Sequence, residues 1–340
     1  MGTDLAKRLG GVALAVLLLF WVFRGVDGTD LLAALGRASL FWLVVSGSLQ
    51  IGHNLFRVLR WRCLLAPVRE RVPLRPMFTS VILGYMTTWI VPGRIGEIVR
   101  PALLSAREGI PIGPSMGSVL GDRLADAAAI LMLLLAGLWI TPLEAEAAAF
   151  AEAVRASSIA VAVVLAVLLA GLLLLGVVRP AFARIEERRG FSGWLARTAI
   201  SVAEGTAALR RPALAAPILG YSLAAWLVIA LGTWAGVRSA GVDVPFGGVL
   251  IMQPVLAIGI ALPTPGGAGG FHAAMKACLV YLFGVPETAA VSAAILTHLA
   301  SVVPVLVVGA VLLRTERLSW GDLLGAARQV RSLGASENAP

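Results

Sequence analysis

The sequence predicts an all-α, polytopic membrane protein, and three observations carry that prediction. Of 340 residues, 59% are hydrophobic and 14% charged, where a soluble domain carries about 25% charge; the mean hydropathy is +0.89. The apolar residues gather into runs of roughly membrane length. The arginines gather between those runs, as membrane topology requires.

The apolar runs cover residues 9–23, 39–56, 77–91, 116–140, 157–178, 214–237, 246–262, 266–283 and 289–313. The first follows Lys7 and Arg8 but is trailed by Arg24-Gly25-Val26-Asp27-Gly28, which offers no small-residue cleavage site. It therefore reads as a retained, short first span rather than a signal peptide. Residues 57–76 hold six arginines (Arg57, Arg60, Arg62, Arg69, Arg71, Arg75) against Glu70, and residues 179–213 hold seven against Glu186, Glu187 and Glu204. The tail adds Arg314, Arg317, Arg328 and Arg331, whereas residues 141–156 carry Glu144, Glu146 and Glu152 against Arg155. The positive-inside rule puts the three basic regions and both termini in the cytoplasm and the acidic loop outside.

Parity then constrains the remainder. Residues 77–115 start and finish inside, with apolar arms too short for the about 20 residues a span needs, so a re-entrant hairpin over 77–106 is expected. Residues 246–283 start and finish outside, as a second hairpin or as two short spans. The expected architecture is about six full spans plus two oppositely inserted re-entrant helical hairpins, an inverted repeat within one membrane domain. Its first half is 1–140 and its second 214–313. Residues 141–213 join them through a span and a cytoplasmic interfacial helix, and 314–340 form a cytoplasmic tail.

The hairpin tips share a pattern. Pro92-Gly93-Arg94-Ile95-Gly96 and Pro265-Gly266-Gly267-Ala268-Gly269 both read P-G-x-x-G, and each precedes an apolar, helix-like stretch. Broken backbone at membrane depth is tolerated only inside protein or beside a wet cavity, and paired interruptions in two halves point to a transporter's site. Each turn leaves a helix N-terminus able to face an anion.

Ionisable residues within apolar segments are functional candidates. They fall into three groups: Arg94, Glu97 and Arg100; Asp122, Arg123 and Asp126; and His272 with Lys276. Glu97 and Arg100 are spaced to pair on one helical face, as are Asp122 and Asp126. The bland alternatives are a neutralised structural network for the aspartate group and snorkelling for Arg94, Arg100 and Lys276. His298 reads as a packing residue, and His53 with Asn54 as interfacial.

Other function classes find little support. The three histidines, His53, His272 and His298, lack metal-ligand spacing, and no G-x-S-x-G elbow or P-loop occurs. Cys63 and Cys278 have no CxxC partner. No enzyme activity, cofactor or metal is expected. A net charge of +9 distributed by topology predicts no nucleic-acid partner.

Four stretches resemble the membrane region of lysylphosphatidylglycerol synthases and the stand-alone flippase-like proteins related to it. They are Arg57-Val58-Leu59-Arg60-Trp61-Arg62, Val91 through Arg100, Asp122-Arg123-Leu124-Ala125-Asp126, and Leu262 through Gly269. Two departures stand out: Asp122 occupies a position where the family commonly has the glutamate of E-R-x-x-D, and His272 one where it has a glutamate. About 27 residues follow the last apolar run, so the resemblance implies lipid translocation rather than aminoacylation.

The expected function is translocation of an anionic, phosphate-bearing lipid (phospholipid or polyprenyl phosphate) across a bacterial cytoplasmic membrane. The alternatives are an ion-coupled carrier of a small anion and an accessory subunit of a polyprenyl-lipid-modifying enzyme. Substrate contacts are expected from Pro92, Gly93, Arg94, Gly96, Glu97, Arg100, Arg123, Pro265, Gly266, Gly267, Gly269, His272 and Lys276. Glu97, Asp122 and Asp126 are expected to balance charge or carry a coupling proton. Membrane lipids are the expected partners, with homo-oligomers left open.

Overall fold

A computed structural model describes residues 2–91, 94–141, 191–262 and 264–336, with scattered positions between 152 and 185. The span expected at 157–178, the acidic loop, and Pro92 and Gly93 of the first glycine turn lie largely or wholly outside the described residues.

Every regular element among the described residues is helical. In chain order they are α1 (Gly2–Phe23), α2 (Gly28–Gly36), α3 (Leu40–Leu65), α4 (Leu74–Ile90), α5 (Gly96–Glu108), α6 (Ile112–Ile140) and α7 (Phe191–Gly205), then α8 (Pro212–Ser239), α9 (Phe246–Ala261), α10 (Ala268–Phe283), α11 (Glu287–Thr315) and α12 (Trp320–Ser336). Proline decides many of the starts. Pro73, Pro111, Pro245 and Pro286 stand in extended backbone just before α4, α6, α9 and α11, where a missing N–H is harmless. Gly109 (φ 63°) and Gly284 (φ 60°) end α5 and α10 in the left-handed region.

Two elements depart from expectation. α3 runs nine residues beyond the predicted segment, so Arg57, Arg60 and Arg62 belong to a helix rather than a cytoplasmic loop. The tail forms α12, which buries Leu323 and Ala327 against α4, α5 and α11. The region expected to lie along the interface contributes α7, which packs on α6: a methyl group at Gly113 would meet Ser201 Oγ at 2.7 Å, and Gly117 and Gly205 touch through backbone.

Three described helices are long and apolar enough to cross a membrane, Ile112–Ile140, Pro212–Ser239 and Glu287–Thr315, and Gly10–Phe23 with Gly28–Gly36 forms a fourth candidate bent by 84°. Large apolar side chains such as Phe20, Phe41, Trp139 and Val307 stand exposed, as expected where the solvent is lipid rather than water.

The two hairpins close in the same way. In α4–α5 the backbone of Gly96 lies on that of Gly84, and a methyl at Gly84 would meet Arg100 Cβ at 2.9 Å. In α9–α10 the backbones of Gly259 and Gly270 touch, and a methyl at Gly259 would lie 2.5 Å from the Gly270 carbonyl oxygen. Glycine pairs let helix backbones approach where any side chain would hold them apart. At the centre α3 packs along α8, with the Ser46 hydroxyl donating to the Gly232 carbonyl at 2.7 Å.

Candidate functional site

The two bends meet. A methyl at Gly266 would lie 3.4 Å from the Trp89 carbonyl oxygen, and one at Gly267 would lie 3.5 Å from the Trp89 ring. Between them is a cavity of about 380 Å³. The first bend contributes Thr88, Trp89, Arg94 and Glu97, and the second Leu262, Thr264 and Gly267. α3 adds Gln50, His53, Asn54 and Arg57, α6 adds Arg123 and Asp126, and α8 and α11 add Trp226 and His298.

Local backbone makes this possible. Arg94 has φ 53°, a left-handed conformation that costs a non-glycine residue about 1–2 kcal/mol. The chain then enters α5, so Glu97 falls in its first turn beside Arg94. Gly266 (φ 59°) and Gly267 (φ 64°) make the corresponding left-handed reversal before α10. The amides of the bends are partly engaged: Glu97 N–H donates to the Arg94 carbonyl (3.0 Å), and Gly267 N–H donates to that of Thr264 (3.0 Å). Positive potential in the cavity therefore comes chiefly from guanidinium groups, not from a pair of bare helix ends.

Those guanidiniums form a continuous network. Arg60, fully buried, donates Nη1 to Asp126 Oδ1 at 2.6 Å, and its Nη2 forms an ion pair with Asp122 Oδ1 at 2.7 Å. Arg100 Nη1 reaches Asp122 Oδ2 at 2.9 Å. Asp126 also receives Trp226 Nε1 (2.7 Å), Arg123 Nη1 (3.4 Å) and Arg57 Nη1 (3.5 Å). At the mouth, Glu97 Oε1 lies 3.2 Å from Arg94 Nε and 3.6 Å from Arg123 Nη2. Five arginines thus face three carboxylates, an excess of two positive charges. Buried charges demand such pairing, and the surplus favours an anionic occupant.

The sequence-predicted residues separate into groups. Arg94, Glu97, Arg123, Asp126 and Gly267 line the cavity. Arg100 and Asp122 lie beneath it, joined to each other, so the expected Glu97–Arg100 pair is not formed and each finds another partner. Gly96 serves the hairpin contact, and Gly269 packs on Ala15 and Leu18 of α1. Pro265 and Gly266 shape the bend.

Lys276 is elsewhere. Its ammonium is buried among α1, α10 and α11, donating to Glu287 Oε2 (2.7 Å) and the Val22 carbonyl (2.9 Å), with the Trp21 ring 5.2 Å away. The reason is local: α10 turns that face from the bend toward α1, where carbonyls at the end of α1 are free to accept. His272 hydrogen-bonds the Ala268 carbonyl and lies tilted against His298, with ring centroids 4.8 Å apart. It supports His298, which itself lines the cavity.

Sequence reasoning missed Arg57, Arg60, His53, Asn54, Trp226 and His298 as site residues. A signal existed for the arginines: Arg57 and Arg60 share a helical face, as do Asp122 and Asp126. A pair of arginines just past the second apolar run and a pair of aspartates within the fourth invite matching.

The family model described as Lysylphosphatidylglycerol synthase TM region matches residues 8–309. No curated protein matches the chain significantly.

Proposed function

The chain belongs to the lysylphosphatidylglycerol synthase transmembrane-region family, and from that premise we propose that it is a carrier moving a phosphate-bearing anionic lipid between the leaflets of a bacterial cytoplasmic membrane. The cavity between the two bends carries the reading. Its charged end holds Arg57, Arg94 and Arg123, and its other walls are mostly apolar, with Ile130, Ile229, Leu256 and Phe271 beside the polar Thr233 and Gln253. A volume of about 380 Å³ lies near the lower end of ligand sites. It suits a head group whose acyl or prenyl tails stay in lipid.

In the proposed topology α1, α3, α6, the segment at 157–178, α8 and α11 span the membrane, with both termini cytoplasmic. The α4–α5 and α9–α10 hairpins enter from opposite faces. The matching glycine-pair closures support an inverted repeat. The arginine excess draws the phosphate, and Glu97 and Asp126 balance part of the charge that Arg57, Arg94 and Arg123 bring to the cavity. No reaction is assigned to these residues; the proposal is transport, not catalysis.

The test is lipid movement in proteoliposomes carrying labelled phospholipids or polyprenyl phosphates. Arg94→Ala and Arg123→Ala are expected to slow movement at least about tenfold, the equivalent of roughly 1.4 kcal/mol. Wild-type rates in both folded variants overturn the proposal. Inhibition of movement by a small soluble anion at low concentration would instead favour a solute carrier.

A further inference from the structure

The two hairpins are fastened very differently. Residues 74–108, which contain the first, carry Arg75, Arg94, Glu97, Arg100, Arg107 and Glu108, whereas residues 246–283 carry Lys276 alone. Arg100 Nη1 meets Asp122 Oδ2 of α6 at 2.9 Å, and Arg75 and Arg107 both reach Glu316 just past α11. The helices around them are joined in kind: Arg60 of α3 donates to Asp126 of α6 at 2.6 Å and to Ser222 Oγ of α8 at 3.1 Å. Among the described residues, two polar side-chain contacts tie α1, α9 and α10 to the remainder. Gln253 Nε2 donates to Thr233 Oγ1 of α8 at a long 3.4 Å, and Lys276 donates to Glu287 of α11 at 2.7 Å. The other bonds of Lys276 go to the Val22 and Arg24 carbonyls, and Gly269 packs on Ala15 and Leu18, so α10 is held to α1.

In lipid these fastenings differ in what separation costs. Apolar helix faces drawn apart are met by acyl chains of the same polarity, whereas parting a buried ion pair leaves charge where nothing solvates it. Three connections join α1, α9 and α10 to other helices, and each holds a left-handed glycine: Gly25 (φ 79°) before α2, Gly241 (φ 74°) before α9 and Gly284 (φ 60°) before α11. A methyl at Gly241 or Gly284 would meet nothing within 4 Å. Such element-terminal positions absorb the backbone change of a hinge. Gly109 makes a similar turn after α5, but there Arg100 and Arg107 pin the helix. We propose that α1, α9 and α10 move as one body against the remainder, which keeps the first hairpin fixed. That body supplies Leu256, Ile260, Leu262 and Phe271 to the cavity wall, and its Gly266 and Gly267 close on Trp89. Its displacement opens the cavity between the bends.

This deepens the transport reading and rests on it only for what the motion serves. Spin-label distances and lipid movement, measured on the full chain in vesicles of phosphatidylethanolamine and phosphatidylglycerol, separate the two claims. With Cys63 and Cys278 replaced by serine, labels are placed at exposed Phe20 of α1, Leu55 of α3, Ile90 of α4 and Tyr281 of α10. The pair Leu55→Cys with Tyr281→Cys is expected to give two distances that differ by more than about 2 Å. Phe20→Cys with Tyr281→Cys, inside the moving body, and Leu55→Cys with Ile90→Cys, inside the fixed one, are each expected to give a single distance. Glu287→Gln removes the charged tie to α11 and leaves both α1 carbonyls on Lys276. It is expected to shift the proportion of the two Leu55–Tyr281 distances about twofold or more and to leave the Phe20–Tyr281 distance unchanged.

Two distances for Leu55–Ile90 with one for Leu55–Tyr281, or two for Phe20–Tyr281, overturn the inference. An unchanged proportion in Glu287→Gln overturns the placing of the Lys276–Glu287 pair across the moving boundary. Single distances for every pair in vesicles where labelled lipid still crosses overturn the inference and leave transport standing. Two Leu55–Tyr281 distances without lipid movement support the moving body and overturn transport. Single distances and no lipid movement overturn both.

Discussion

At the scale of single residues, the arginines fall into two kinds that a charge count cannot distinguish. Arg60 is wholly enclosed and bridges Asp122 and Asp126, so its removal takes a fully buried guanidinium from two buried carboxylates at once. Losing one member of a buried pair costs about 3–5 kcal/mol, and Arg60→Ala is expected to lower the thermal midpoint sharply and reduce folded yield. Arg94, its side chain 43% exposed, holds the mouth of the cavity and contributes little to folding. Its left-handed backbone makes Arg94→Gly a sharper test than alanine, since glycine adopts that region freely. Arg94→Gly should melt at or above the wild-type temperature while lipid movement falls at least about tenfold; a destabilised protein would contradict this division of roles.

Between elements, the hairpins depend on glycine-to-glycine contact. A methyl group at Gly96 or Gly270 overlaps the facing carbonyl of Gly84 or Gly259, and overpacking of this kind costs about 1–3 kcal/mol. Gly96→Ala and Gly270→Ala are therefore expected to lower stability similarly, whereas Gly10→Ala, which meets open space, should not. The ends of the first hairpin are also tied together. Glu316, just past α11, accepts from Arg75 Nε of α4 at 3.0 Å and from Arg107 Nη2 of α5 at 3.1 Å. Burial alone would raise the Glu316 carboxyl; the two arginines outweigh it and hold it below its ordinary range. A lowered carboxylate stabilises the fold above its unfolded value of about 4.3 and loses that contribution as pH falls through the folded value. Protease sensitivity near Leu318 should rise on acidification below about pH 4.3 in the wild type. Glu316→Gln should show the raised sensitivity already at neutral pH.

For the whole molecule, the proposed inverted insertion makes an exclusive demand on sidedness. The α3–α4 connection carries exposed Arg71, and the α8–α9 connection carries Asp243 with a side chain 80% exposed. With Cys63 and Cys278 replaced by serine, Arg71→Cys is expected to react with an impermeant maleimide only from the cytoplasm and Asp243→Cys only from outside. Labelling of both from one side would remove the opposed hairpins while leaving the cavity's chemistry intact.

Composition and hydropathy sufficed for the helical membrane class, because lipid admits few ways to satisfy a backbone and long apolar runs declare themselves locally. The Pro265-Gly266-Gly267 turn was equally readable, since proline and glycine act on their own stretch of chain. Partnership was not. Arg57 and Arg60 pass for a cytoplasmic cluster until α3 is laid against α6, and Lys276 passes for a site residue until α1 supplies its acceptors. Asn54 and His298 carry no local mark at all. Periodicity and charge are properties of neighbours in sequence, whereas whether a guanidinium is engaged, or an amide oxygen left without a donor, depends on which distant helix packs beside it.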